Sequence, residues 1–120
     1  MKYWFNEDKS IRLYNGDCLG VMNKLIENGV KVDAVITDPP YGIEFVSNYR
    51  KNKYDKIKND TNLDWLDDFS KKIYELLNDN SHGYVFCSFH NVDKFKIALE
   101  KYFKIKNILI WEKIIQVWEI

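Results

Sequence analysis

Apolar residues recur along the chain in two alternating periods, one of strands and one of helices. Ile11-Arg12-Leu13-Tyr14 alternates as a short strand and runs into the turn Asn15-Gly16-Asp17. Leu19, Met22, Leu25 and Ile26 then fall at helical spacing, and Asn28-Gly29 closes that helix. The run Val32-Asp33-Ala34-Val35-Ile36-Thr37 predicts a buried strand. Residues 42–60 predict a long polar loop, of the kind that often serves as a lid or binding loop. Trp65, Leu66, Phe69, Ile73, Leu76 and Leu77 form the next helical stripe, followed by the turn cluster 78–83. Tyr84 to Phe89 predicts a third strand. Val92, Phe95, Ala98, Leu99, Tyr102 and Phe103 mark a third helix, and Ile105 to Trp111 a fourth strand. Strands alternating with helices predict an α/β fold with a parallel, doubly wound sheet.

Composition narrows the class. A chain of 120 residues, 46% hydrophobic and 16% aromatic, predicts one domain with a real core and argues against disorder. No apolar stretch approaches the ~20 residues that span a bilayer. The N-terminus lacks the apolar core of a signal peptide. Cys18 and Cys87 do not make a disulfide framework and point to a reducing, cytoplasmic compartment. Abundant Lys, Asn and Ile, with arginine only at Arg12 and Arg50, indicates an A/T-rich genome, prokaryotic or of a phage or mobile element.

Net charge is zero, so any nucleic-acid face must come from local distribution. The clearest basic excess is Asn48 to Lys58, which mixes cations with aromatics. Arg50, Lys51 and Lys53 suit phosphate contacts. The same composition also suits a solvated loop, and both readings stand at this point.

The strand over 32–37 ends in Asp38-Pro39-Pro40-Tyr41, the most chemically specific feature of the sequence. Pro39 biases Asp38 toward extended backbone and holds its carboxylate at the strand end. Two prolines fix φ near −65° and remove two donors, leaving carbonyls exposed on a rigid turn. Tyr41 adds a flat stacking face. A carboxylate oxygen and a carbonyl oxygen together can accept both hydrogens of an exocyclic amino group, localising its lone pair for in-line attack on an electrophilic methyl. In parallel sheets ligands bind beyond the C-terminal strand ends, where Asp17, Asp38 and Ser88 are all expected.

Gly16-Asp17-Cys18, an amphipathic segment, and then Val32 through Gly42 with its Asp-Pro-Pro-Tyr tetrad resemble the opening of the amino-group DNA methyltransferases. The resemblance covers roughly residues 10 to 113. It implies methyl transfer from S-adenosylmethionine to adenine N6 in double-stranded DNA, with cytosine N4 as the alternative target. The tetrad is typical of the adenine enzymes, and a restriction-modification setting follows. It also implies a partial Rossmann-like fold, with Asp38, Pro39, Pro40 and Tyr41 catalytic and the target base flipped out of the duplex. Asp17, with Cys18 beside it and Asp38, is implied on the cofactor side. An N-cap role explains Asp17 equally well.

In ribosomal RNA enzymes with a similar tetrad a glycine-rich cofactor loop comes first. Here only 37 residues precede Asp38, an order that resembles the β class, whose catalytic half comes first. All 5 glycines are isolated, and no Gly-x-Gly occurs to form the later cofactor loop. Residues 1–113 therefore read as an N-terminal catalytic portion, active with a complementary C-terminal half or a second copy, or else as an inactive remnant. Residues 114–120 read as an atypical tail. Restoring one A after the Lys113 codon, in an A/T-rich back-translation, turns them into a polar, glycine-containing run like the family's.

Other candidates read as scaffold. His82 and His90 lack the partners of a metal site or nucleophilic pair. Cys87 reads as a small core residue. Phe89, near the rim, suits either the base pocket or the core.

Overall fold

The computed structural model describes residues 2–42 and 62–112. The described residues form a small α/β structure with three helices and two separate two-stranded ladders. In chain order these are β1 (Lys2–Phe5), β2 (Arg12–Asn15), α1 (Cys18–Glu27), β3 (Val32–Thr37), α2 (Leu66–Leu76), β4 (Leu77–Val85) and α3 (Val92–Glu100).

Local chemistry fixes the ends of α1. The Asp17 carboxylate accepts from the Leu19 and Gly20 amides at 3.1 and 3.5 Å, satisfying donors that the first turn leaves open. At the other end, Gly29 takes φ 71°, and the Gly29 and Val30 amides donate back to Ile26 and Leu25, both at 2.9 Å. This is the paired bonding of a Schellman stop, which favours glycine at the left-handed position.

α2 packs against both α1 and α3. Leu66, Phe69, Ile73, Leu77, Phe95 and Ala98 form the buried core, and Val32, Val35, Val85 and Cys87 pack against it from the ladder and its end. Trp65 packs edge-on to Phe69 and Phe95, with centroids 5.4 and 6.3 Å apart. Ser70 is fully buried and donates to the Leu66 carbonyl at 2.8 Å.

β3 and β4 pair in parallel, from Ala34 against His82 to Thr37 against Val85. Before Ala34 the register slips: Val32 faces Leu77, and an irregularity separates the two pairings. The predicted turn cluster 78–83 is this excursion, carried inside β4. Asn80 adopts φ 59° there, and Asn78 donates to the Asp33 carboxylate at 2.8 Å.

Four sequence expectations change. The strand over 32–37 keeps its predicted bounds but is only half-buried: Ile36 is 74% exposed and its cross-strand partner Tyr84 52%. One face packs on helices and β3 has one described neighbour, so the double burial of a central strand is not reached. The third strand starts earlier and ends at Val85, although the Phe86 amide still donates to Thr37 at 3.0 Å. The predicted strand over Ile105–Trp111 is absent among the described residues. Ile108 to Trp111 are 57–88% exposed, because a β-branched run becomes a strand only where an edge pairs with it. β1, which the periodicity did not predict, pairs antiparallel with β2. The predicted loop 42–60 lies, past Gly42, outside the described residues.

Candidate active site

The tetrad sits where the sequence places it, directly beyond the C-terminal end of β3. Pro39 is buried and Pro40 half-buried, anchoring the turn to the fold, while the Asp38 carboxylate remains exposed. Tyr41 is half-buried and its hydroxyl donates to Asp38 Oδ1. Partial burial first, then the hydrogen bond and the negative charge of Asp38, push the Tyr41 phenol up to about 12. Each of these effects disfavours the phenolate, so the group stays a neutral donor across the physiological range.

Gly42 completes the turn at φ 76°. A Cβ there would approach the Leu63 side chain at 3.1 and 3.2 Å and Asn91 Nδ2 at 3.4 Å. Both the dihedral and the space therefore favour glycine.

The other wall of the rim is the segment between β4 and α3. Cys87 packs against the core, and burial pushes its thiol up, as expected of a core cysteine. The Ser88 carbonyl accepts from the Asn91 amide at 3.1 Å, and Ser88 Oγ accepts from the His90 amide at 3.3 Å. Phe89 is 81% exposed and stacks obliquely on His90 at 3.9 Å, so the core reading for Phe89 fails. Asn91 Nδ2 donates to the Tyr41 carbonyl at 2.7 Å and joins the two walls.

The structure thus brings together Asp38, Tyr41, Gly42 and Asn91. Asp17 is the N-cap of α1, with an exposed side chain, and Cys18 is the exposed first residue of that helix. Arg50, Lys51 and Lys53 lie outside the described residues. Asn91 was not singled out from sequence. Its place before an apolar helix marks it as a cap at most, and nothing in its neighbours signals a bond across 50 residues.

Chemically, the rim offers a fixed carboxylate, a tyrosine able to stack and to donate, and carbonyls on a proline-rigid turn. That set suits a planar ligand bearing an amino group. Among the described residues no helix is long and apolar enough to cross a membrane.

Comparison with known proteins gives the family. Residues 32–119 match the family model described as DNA methylase, of the N6/N4 type. The chain is 28% identical over 122 residues to the type II methyltransferase M2.MboI of Moraxella bovis, an alignment covering 92% of this chain. It spans 44% of that relative's length. No solved structure matches. A family match that begins at the first residue of β3 and runs through the tetrad and the opposite wall of the rim makes this chain a member of the N6/N4 DNA methyltransferase family.

Proposed function

We propose that the rim beyond β3 and β4 is the target-base site of a DNA methyltransferase that modifies adenine N6. The observation that carries this reading is the Asp38–Tyr41 pair, fixed at the end of a parallel strand by Pro39 and Pro40. Asp38 and the Pro39 carbonyl accept the two amino hydrogens of the base. The Tyr41 hydroxyl engages one carboxylate oxygen and leaves the other to the amino group. Tyr41 stacks on the flipped base, offsetting by about 1–3 kcal/mol the few kcal/mol that flipping costs. Asp38 also accepts the proton that the nitrogen releases after transfer.

S-adenosylmethionine supplies the methyl group when bound. The exposed carboxylates of Asp17 and Asp38 suit a donor that carries amino and hydroxyl groups and a positive charge. On this reading Asp17, Cys18 and Asp38 hold the donor, and the parallel pair belongs to a Rossmann-like sheet. The rest of the donor wall comes from a further segment, in the same polypeptide, a complementary half or a second copy. Arg50, Lys51 and Lys53 contact the phosphates of double-stranded DNA. A cytoplasmic restriction-modification setting fits these roles.

The test is methyl transfer from isotope-labelled S-adenosylmethionine to A/T-rich duplex DNA, followed by digestion to nucleosides. The expected product is N6-methyldeoxyadenosine, absent with Asp38→Ala. Label in N4-methyldeoxycytidine would move the assignment to cytosine. Undiminished transfer by Asp38→Ala would overturn the site.

A further inference from the structure

Asn91 stands at the N-cap of α3, where asparagine ordinarily turns its side chain back onto the first helical turn. No such bond forms here. The side chain reaches away from its own helix, and Nδ2 donates to the Tyr41 carbonyl at 2.7 Å in a half-buried position. The backbone of Asn91 is held on both sides. Its amide donates to Ser88 at 3.1 Å, and its carbonyl accepts from the amide of Phe95 at 3.1 Å. Phe95 is 1% exposed, so the Asn91 amide group is mounted on the core one helical turn away. A Cβ at Gly42 would lie 3.4 Å from Nδ2, in van der Waals contact with it, so the turn and the Asn91 side chain are packed together.

We propose that Asn91 is a positioning residue for the Asp38–Tyr41 pair, an inference that rests on reading that pair as the base-binding site. By holding the Tyr41 carbonyl, Asn91 fixes the backbone from which the ring and hydroxyl project. The hydroxyl in turn orients the Asp38 carboxylate. Without this donor the Tyr41 carbonyl turns to water, the turn gains freedom, and the hydroxyl leaves the carboxylate part of the time. Asn91 does not itself touch the base.

Two substitutions separate tethering from helix capping. Asn91→Ser is too short to reach Tyr41 but offers α3 a capping hydroxyl, a role the Asn91 side chain does not fill; Asn91→Ala offers neither. The full chain is labelled at tyrosine Cζ, and the Tyr41 resonance is identified by its loss in Tyr41→Phe. In both variants the Tyr41 phenol is expected to titrate closer to the ordinary tyrosine value of 10. Deoxyadenosine is expected to bind roughly tenfold more weakly to both, the loss of about one hydrogen bond's worth of orientation. Asn91→Ala should lower the Tm more than Asn91→Ser, whose hydroxyl can cap α3.

A Tyr41 titration unchanged in Asn91→Ser overturns the proposal, as does a change seen only in Asn91→Ala alongside its loss of stability. If neither variant folds, Asn91→Asp keeps the shape, loses the donor and places a favourable charge at the helix N-terminus. An unaltered Tyr41 resonance in that variant overturns the proposal equally. Failure of the base-binding reading looks different: deoxyadenosine binding would ignore Asp38→Ala while the Tyr41 titration still responded to Asn91.

Discussion

Gly42→Ala should destabilise the fold, whereas Gly20→Ala should stabilise it. Gly42 sits at φ 76°, a left-handed conformation that costs an L-residue roughly 1–2 kcal/mol. The new methyl would also meet Leu63 at 3.1–3.2 Å, so that half-buried side chain must shift by a few tenths of an ångström. Against this, alanine restricts the unfolded chain, which returns roughly 0.4–1 kcal/mol. With the Leu63 displacement added to the dihedral cost, the net expectation is a loss of about 1 kcal/mol. For a domain of this size that lowers Tm by roughly 4 °C.

Gly20 has the opposite environment. It lies inside α1, a Cβ there meets nothing within 4 Å, and its amide bond to Asp17 survives substitution. Helix propensity alone then favours alanine by up to about 1 kcal/mol. Urea and thermal unfolding of both single variants test the pair against the parent chain. The reasoning is refuted if the two substitutions shift stability in the same direction, or if Gly42→Ala is neutral. The Tyr41 resonance should move in Gly42→Ala and stay in place in Gly20→Ala, because only the former adjoins the tetrad turn.

Two further outcomes follow from the same geometry. The Tyr41 phenol is raised from 10 to about 12, so its contribution to stability is complete below pH 10 and is lost as pH rises through 12; the difference in unfolding free energy between the parent and Tyr41→Phe, measured against pH, should fall across that window and be flat below it. Asp17→Ala removes the α1 cap and should cost about 1 kcal/mol in urea unfolding, whereas Asp17→Ser should restore stability without restoring donor affinity measured by calorimetry.

What could be read from the sequence followed the strength of local signals. α1 was legible because Asp17 and Gly29 mark its two ends with chemistry that acts within a few residues. β3 was bounded by Pro39 and Pro40, which lack the amide donors that a ladder needs. Its burial was misjudged, because an apolar run states what a strand can bury and not how many neighbours it has. The same cause explains Ile105–Trp111, a run with the composition of a strand and no partner among the described residues. In β4 the predicted turn residues are present, but the ladder absorbs them as an irregularity on either side of Asn80. The short β1 carries Tyr3, Trp4 and Phe5 in succession, and this hides the alternation of a hairpin strand.

The site divides similarly. The tetrad is contiguous, so its carboxylate, prolines and ring could be assigned from adjacency alone. The Tyr41–Asp38 bond spans three residues and closes within that turn. Asn91 depends on the parallel register of β3 and β4, which brings the two C-terminal ends together, and no local pattern encodes that. Phe89 was ambiguous because apolar character does not distinguish a rim position from a core one; its exposure places it at the rim.

The most direct test of the account is whether the rim recognises an exocyclic amino group. Deoxyadenosine and deoxyinosine share the purine frame, but the second replaces the amino group with a carbonyl oxygen. Titrated into the labelled chain, deoxyadenosine should shift the Tyr41 resonance. Deoxyinosine should bind at least roughly tenfold more weakly, since its oxygen faces the Asp38 carboxylate and leaves that acceptor unpaired. Asp38→Ala should erase the preference. Equal binding of the two nucleosides, or a preference that survives Asp38→Ala, would contradict the assignment of this rim as the amino-group site.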